Sequence, residues 1–147
     1  MRFRFRATDA GFDADEYSII CGVDGQDATG AEHALSFDRL SEEAAADNSS
    51  EDRGVHAQFD DQSNGGFGCV GQCRLSRRSL VVDLSKQLGR LANVDGFDVE
   101  LAIGNELYEQ VLFGLARIFR DMPGVLIIAE PPSRPSDLIK NEDPGAD

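Results

Sequence analysis

The chain has 147 residues, 27 of them acidic against 14 basic, and a formal net charge of −13 at pH 7. The length fits one domain with its own core, and no apolar run approaches a membrane span. The charge argues against nucleic acid and anionic membrane as partners, because phosphate contacts need clustered Lys and Arg; it favours solubility and fast association with a basic partner.

A signal peptide needs a continuous apolar stretch. Residues 1–6, Met-Arg-Phe-Arg-Phe-Arg, alternate charge and ring instead, so a cytoplasmic protein is expected. Phe3 and Phe5 face one way and Arg2, Arg4 and Arg6 the other. That alternation predicts a first strand, its basic side in water or against acidic loops. Gly11 to Glu16 reads as a polar turn with Asp13, Asp15 and Glu16. Tyr17 to Val23 is a second strand, pairing with the first as a hairpin. Asp24-Gly25 and Thr29-Gly30 are turn signals. His33 to Leu40 makes a third strand, with Ala34, Leu35 and Phe37 as its apolar content.

From residue 41 to residue 53 the composition shifts to Ser, Asp, Glu, Asn and Ala, with no large apolar side chain. This predicts a mobile acidic loop, within which residues 42–46 have the composition of a helical turn. Val55, Ala57 and Phe59 alternate with His56, Gln58 and Asp60, a fourth strand. Asn64-Gly65-Gly66 then offers tight-turn chemistry, since such turns need positive φ. A phosphate-binding loop is rejected there: no Gly-Lys-Ser/Thr follows, no helix opens behind it and acids flank it. Residues 68–75 are read as the returning strand of that hairpin. Ser76-Arg77-Arg78-Ser79 is a second tight turn, and Leu80, Val82 and Leu84 alternate after it. Residues 85–91 read as a short helical turn.

Phe97, Val99, Leu101 and Ile103 alternate with Asp98, Glu100 and Ala102, a half-buried strand. Asn105 is the expected N-cap of a helix, with Glu106 in the first turn where the dipole favours it. Leu107, Val111, Leu112, Leu115, Ile118 and Phe119 recur at three- and four-residue spacing, the apolar face of a helix running to Arg120. Pro123 and Gly124 stop it. Residues 125–129, Val-Leu-Ile-Ile-Ala, are a last buried strand or a segment against the core. Pro131, Pro132 and Pro135 then end order.

Together these elements predict an α+β fold: an antiparallel sheet of about six or seven strands with one main C-terminal helix packed on one face. Residues 1–130 form the single domain, with 41–53 a mobile acidic loop inside it. Residues 131–147 are expected to be a disordered, Pro-rich acidic tail.

Chemistry-bearing residues are few. Cys21, Cys69 and Cys73 form no CxxC; Cys69 and Cys73 would stand roughly 13 Å apart along one strand, too far for a disulfide. With His33 or His56 they match no zinc module, so buried free thiols and no metal are expected. No GxSxG or HExxH motif is present. Cys69 or Cys73 with His56 is the one nucleophile–base pair that can be drawn, and nothing in the sequence brings these groups together. The reading is therefore non-catalytic and cofactor-free.

One stretch carries a resemblance. A strand, Asp-Gln-Ser-Asn-Gly-Gly-Phe-Gly, a strand, Arg-Leu-Ser-Arg-Arg-Ser-Leu-Val-Val-Asp-Leu, Gly, Phe-Asp-Val-Glu-Leu and a terminal helix follow one another over residues 55–120. That order resembles the immunity protein 10 family of bacterial polymorphic toxin systems, chiefly over the C-terminal half of the chain. The resemblance is carried by turn glycines and alternating strands, and residues 41–53 and the tail depart from the pattern, so no functional residue is transferred. It implies a cytoplasmic protein that binds and neutralises a cognate toxin domain. Charge alone then nominates the partner-binding patch: Glu42, Glu43, Asp47, Glu51, Asp52, Asp60 and Asp61, an acidic face for a basic protein cleft. The alternative is a self-associating structural or regulatory module, a homodimer formed through strand edges and residues 125–129.

Overall fold

The period-2 runs of the sequence join one sheet, described here from a computed structural model over residues 1–48 and 51–128. Its strands are β1 (Arg2–Ala14), β2 (Ser18–Gln26), β3 (Glu32–Leu40), β4 (His56–Phe59), β5 (Gly65–Phe67), β6 (Val70–Ser76), β7 (Ser79–Leu84), β8 (Gly96–Leu101) and β9 (Leu126–Ile128). Two helices accompany them, α1 (Glu42–Asp47) and α2 (Asn105–Ile118). The strand order is β5-β4-β3-β2-β1-β8-β7-β6-β9. Neighbours are antiparallel except at β1/β8 and β6/β9, which are parallel. The expectation of about six or seven antiparallel strands is thus corrected to a nine-stranded mixed sheet. Alternation reports which face a residue takes and says nothing of the neighbour's direction.

The parallel β1/β8 seam joins two antiparallel meanders and has a readable cause. Its register sets Phe3 beside Phe97, Arg4 beside Asp98, Phe5 beside Val99 and Arg6 beside Glu100. Rings and aliphatics share the inner face, while opposite charges meet on the outer one. Arg2 reaches Asp83 at 2.6 Å and Asp98 at 2.8 Å; Arg4 reaches Asp98 and Arg6 reaches Glu100, each at 3.3 Å. Arg4 and Arg6 thus lie largely in water, as one of the two expectations had it, and the acids they and Arg2 meet come from β7 and β8, not from acidic loops.

A bulge at Thr8 shifts β1 by one residue between Ala7 and Asp9. Before it Phe5 and Ala7 point inward; after it Ala10 and Phe12 do. The extra residue keeps Ala10 and Phe12 on the inner face, and the strand runs on to Ala14, where a polar turn from Gly11 was expected.

Helix α2 lies on the inner face over β1, β2 and β3 and buries Val111, Gly114, Leu115 and Ile118. Each large apolar side chain so buried is worth about 1.5–3 kcal/mol. Gly114 sits where helix and sheet are closest: a Cβ there would stand 2.7 Å from the Phe12 ring and 2.9 Å from Cys21 Sγ. The N-cap is Gly104 and not Asn105, because the Asn105 side chain is turned to accept from Arg77 Nε at 2.8 Å. The helix ends at Ile118, two residues short of Arg120.

Further corrections fall on the loops. Gly65 and Gly66 belong to β5, the actual return strand of β4. Asp61, whose carboxylate accepts from the Ser63 N–H at 2.9 Å and from its hydroxyl, caps the 3-10 turn before it. The strand read as returning, β6, lies in the other meander beside β7 and β9. Residues 85–91 are turns and bends closed by an isolated bridge between Leu88 and Leu91, not a helical turn. Of residues 125–129, Leu126–Ile128 form β9, while Ala129 and the tail lie outside the described residues.

The sheet does not lie flat. Phe59 on β4 meets Phe97 on β8 with ring centroids 4.8 Å apart, and Phe3 on β1 at the same distance. Four strand spacings would hold β4 and β8 about 19 Å apart in a flat sheet. The two meanders therefore curl toward each other around a common core. Leu88, between β7 and β8, is fully buried as well.

Candidate partner-binding surface

The acids nominated from sequence lie at opposite ends of one strand. Glu42, Glu43, Asp47, Glu51 and Asp52 follow the C-terminal end of β3, whereas the Asp60 carboxylate accepts from the Ala34 N–H near its other end. Ala34 and Leu40 are six residues apart, so roughly 20 Å separates the two groups.

The larger group is built on α1. Ser41 caps this helix: its Oγ accepts from Ala44 N–H at 3.1 Å and donates to the Glu16 carbonyl at 2.7 Å. Glu42 and Glu43 occupy the first turn, where the helix dipole favours them. The helix buries no residue, so its composition answers to solvent and not to the core.

Two of the acids are held internally. Arg39 points inward from β3 after Leu35 and Phe37, its side chain 4% exposed. It donates to Asp52 at 3.1 Å and 3.3 Å, to Asp121 at 2.7 Å and 2.9 Å, and to the Ile118 carbonyl at 3.1 Å. The guanidinium thus ties the chain entering β4 to the end of α2, and holds the Asp52 carboxyl below its usual range. Arg117 on α2 grips Glu42 in the same forked way, at 2.7 Å and 3.1 Å. That contact lowers the Glu42 carboxyl to about 2. Glu43, Asp47 and Glu51 are exposed and form no ion pair with any described residue. These three are the acids left for a partner.

At the far end, Asp60 serves His33. The ring meets Asp60 through Nδ1 at 2.9 Å and Asp27 through Nε2 at 2.8 Å, and stacks on Phe59 at 5.3 Å. With a carboxylate on each nitrogen, the arrangement favours the protonated ring, the form in which both nitrogens donate. Burial lowers its pKa, but the two carboxylates outweigh burial and the net shift is upward. Asp27 falls well below the carboxylate range under hydrogen bonds from Thr29 and His33. This is a structural clamp between the β2–β3 turn and the end of β4.

The nucleophile–base pairing drawn from sequence is not assembled. His56 sits 3.3 Å from Asp38 and edge-on to Phe67, and no hydrogen bond joins it to a thiol. Cys21, Cys69 and Cys73 are all free and buried, and burial pushes Cys21 and Cys73 up to about 12. Among the described residues no group of His, Cys, Asp and Glu could hold a metal ion. Nor is any described helix long and apolar enough to cross a membrane.

Sequence reading missed Arg39, His33 and Arg117 as organisers of this surface. Arg39 left one signal: the alternation through Leu35 and Phe37 places it on the core face, where a charge must find partners. No family model matches the chain, and no curated protein or solved structure does either.

Proposed function

We propose that the chain is a non-catalytic, cytoplasmic, immunity-type protein that neutralises a cognate bacterial toxin domain by covering its basic cleft with the acidic face around α1. The observation that carries this reading is the state of Glu43, Asp47 and Glu51. They stand exposed around a helix that adds nothing to the core, on a frame held by the Arg39 and Arg117 ion pairs. An acidic face of this kind steers a basic protein toward it. The resemblance of residues 55–120 to the immunity protein 10 family points the same way.

Co-expression with a toxin domain found encoded beside this chain, followed by pull-down and a growth assay, tests the proposal, and the absence of any such gene counts against it. A one-to-one complex and rescued growth are expected. Reversing Glu43, Asp47 and Glu51 to Lys should lower the association rate and flatten its salt dependence, while the thermal midpoint holds. Unchanged kinetics in that variant would remove the acidic face from the mechanism. Self-association comes second. The ends of the sheet, β5 and β9, are three residues each, a short ladder for edge pairing.

A further inference from the structure

An apolar residue stands on the wet side of α2. Phe113 is 56% exposed, in the middle of the helix. It packs edge-to-face on Phe12 of β1, with centroids 5.3 Å apart at 81°. The Arg117 guanidinium lies 5.9 Å from the centre of each ring. Its fork on Glu42 holds the guanidinium on the same side, so two rings and a cation sit together as one cluster. Tyr17, 67% exposed, stands in the turn before β2. The Tyr17 carbonyl accepts from Ser41 N–H at 2.9 Å, which ties that turn to the start of α1.

Aromatic rings and Arg are the residues enriched at the centres of protein interfaces, where water is excluded, while charge stays at the rim. The charges that accompany this cluster are acidic, beginning with Glu42 on Arg117 itself. Glu109 lies one turn before Phe113, Glu16 precedes Tyr17, and Glu43 follows Glu42; all three are exposed. Resting on the function proposed above, we infer that Phe12, Phe113 and Arg117 are the anchor of the toxin interface, and that the partner presents an apolar depression ringed by Lys or Arg. The acids of α1 then steer the encounter, and the aromatic unit sets how long the complex lasts. The Asp60 and Asp61 end of the sheet lies outside the centre of this contact.

Binding of the full chain to the toxin domain identified by that co-expression tests the anchor. Phe113→Ala should speed dissociation by about 30-fold or more with little change in association, the pattern of a central hot spot. Thermal melting of the same variant checks that the fold is kept. A photo-crosslinking side chain at position 113 supplies a second readout that needs no loss of packing, and it should link to the toxin. If Phe113→Ala dissociates like the unaltered chain, or crosslinks form from position 61 and not from 113, the anchor inference is overturned while the proposed function stands. If the unaltered chain neither binds nor neutralises the toxin, the proposed function fails and the anchor with it.

Discussion

Arg39 carries more of the local structure than any other charged side chain around α1, because it is buried and both its carboxylate partners come from distant chain segments. Replacing Arg39 with Ala removes the guanidinium from Asp121, from the Ile118 carbonyl and from Asp52, which keeps only the Gly54 N–H among its described donors. The expected loss is about 2–4 kcal/mol in denaturant unfolding, below the full cost of a broken buried pair because Asp121 is largely exposed. Arg39→Lys should recover little of it, since a point charge cannot replace two forks. His33 gives a pH signature. Its folded pKa lies above the unfolded value of about 6.5. Its contribution is therefore complete below that value and is lost as pH rises through the folded pKa. The unfolding midpoint should fall over that window in the native chain and not in His33→Gln. An NMR titration placing His33 at or below 6.5 would contradict the two-carboxylate clamp.

At the scale of the element, Gly114 sets two effects against each other. Alanine gains about 1 kcal/mol of helix propensity. Its Cβ would press on the Phe12 ring and on the buried Cys21 side chain, and overpacking of that kind costs about 1–3 kcal/mol. Gly114→Ala should therefore be neutral to destabilising by thermal melting, against the rule for exposed helices. Leu115→Asp, one residue on at a site 1% exposed, places an unpaired charge between helix and sheet and should cost about 4 kcal/mol or more. The existence of α2 and of most strands was legible in the sequence because burial imposes its own period on apolar residues. Strand direction and partner were not. The β1/β8 seam joins residues over ninety positions apart, and β5 and β9 are too short to show a period. The candidate site divides in the same way. That residues 42–51 are acidic and polar is plain from the sequence. Which acids are already used depends on Arg39 and on Arg117, the latter 75 positions from Glu42.

For the whole molecule the decisive feature is the curl that turns a nine-stranded sheet into a shell around one core. Helix α2, with 14 residues and so about 21 Å long, cannot cover a sheet roughly 38 Å wide. Apolar side chains of β6, β7 and β8 are nonetheless buried, because the opposite meander closes over them through Phe59, Phe3 and Phe97. Phe59 also stacks on His33, but that contact follows from the local β3/β4 pairing that sets Leu35 beside Phe59. A double-mutant cycle on Phe59 and Phe97 measures it directly. Each Phe→Ala alone should cost about 3–5 kcal/mol by cavity formation. In a flat sheet, with these residues about 19 Å apart, the two losses would add. In contact, they should show a coupling of about 0.5–1.5 kcal/mol, the worth of an aromatic pair beyond its area. Denaturant unfolding of the four proteins reads that number, and strict additivity would mean that the two meanders do not close on each other.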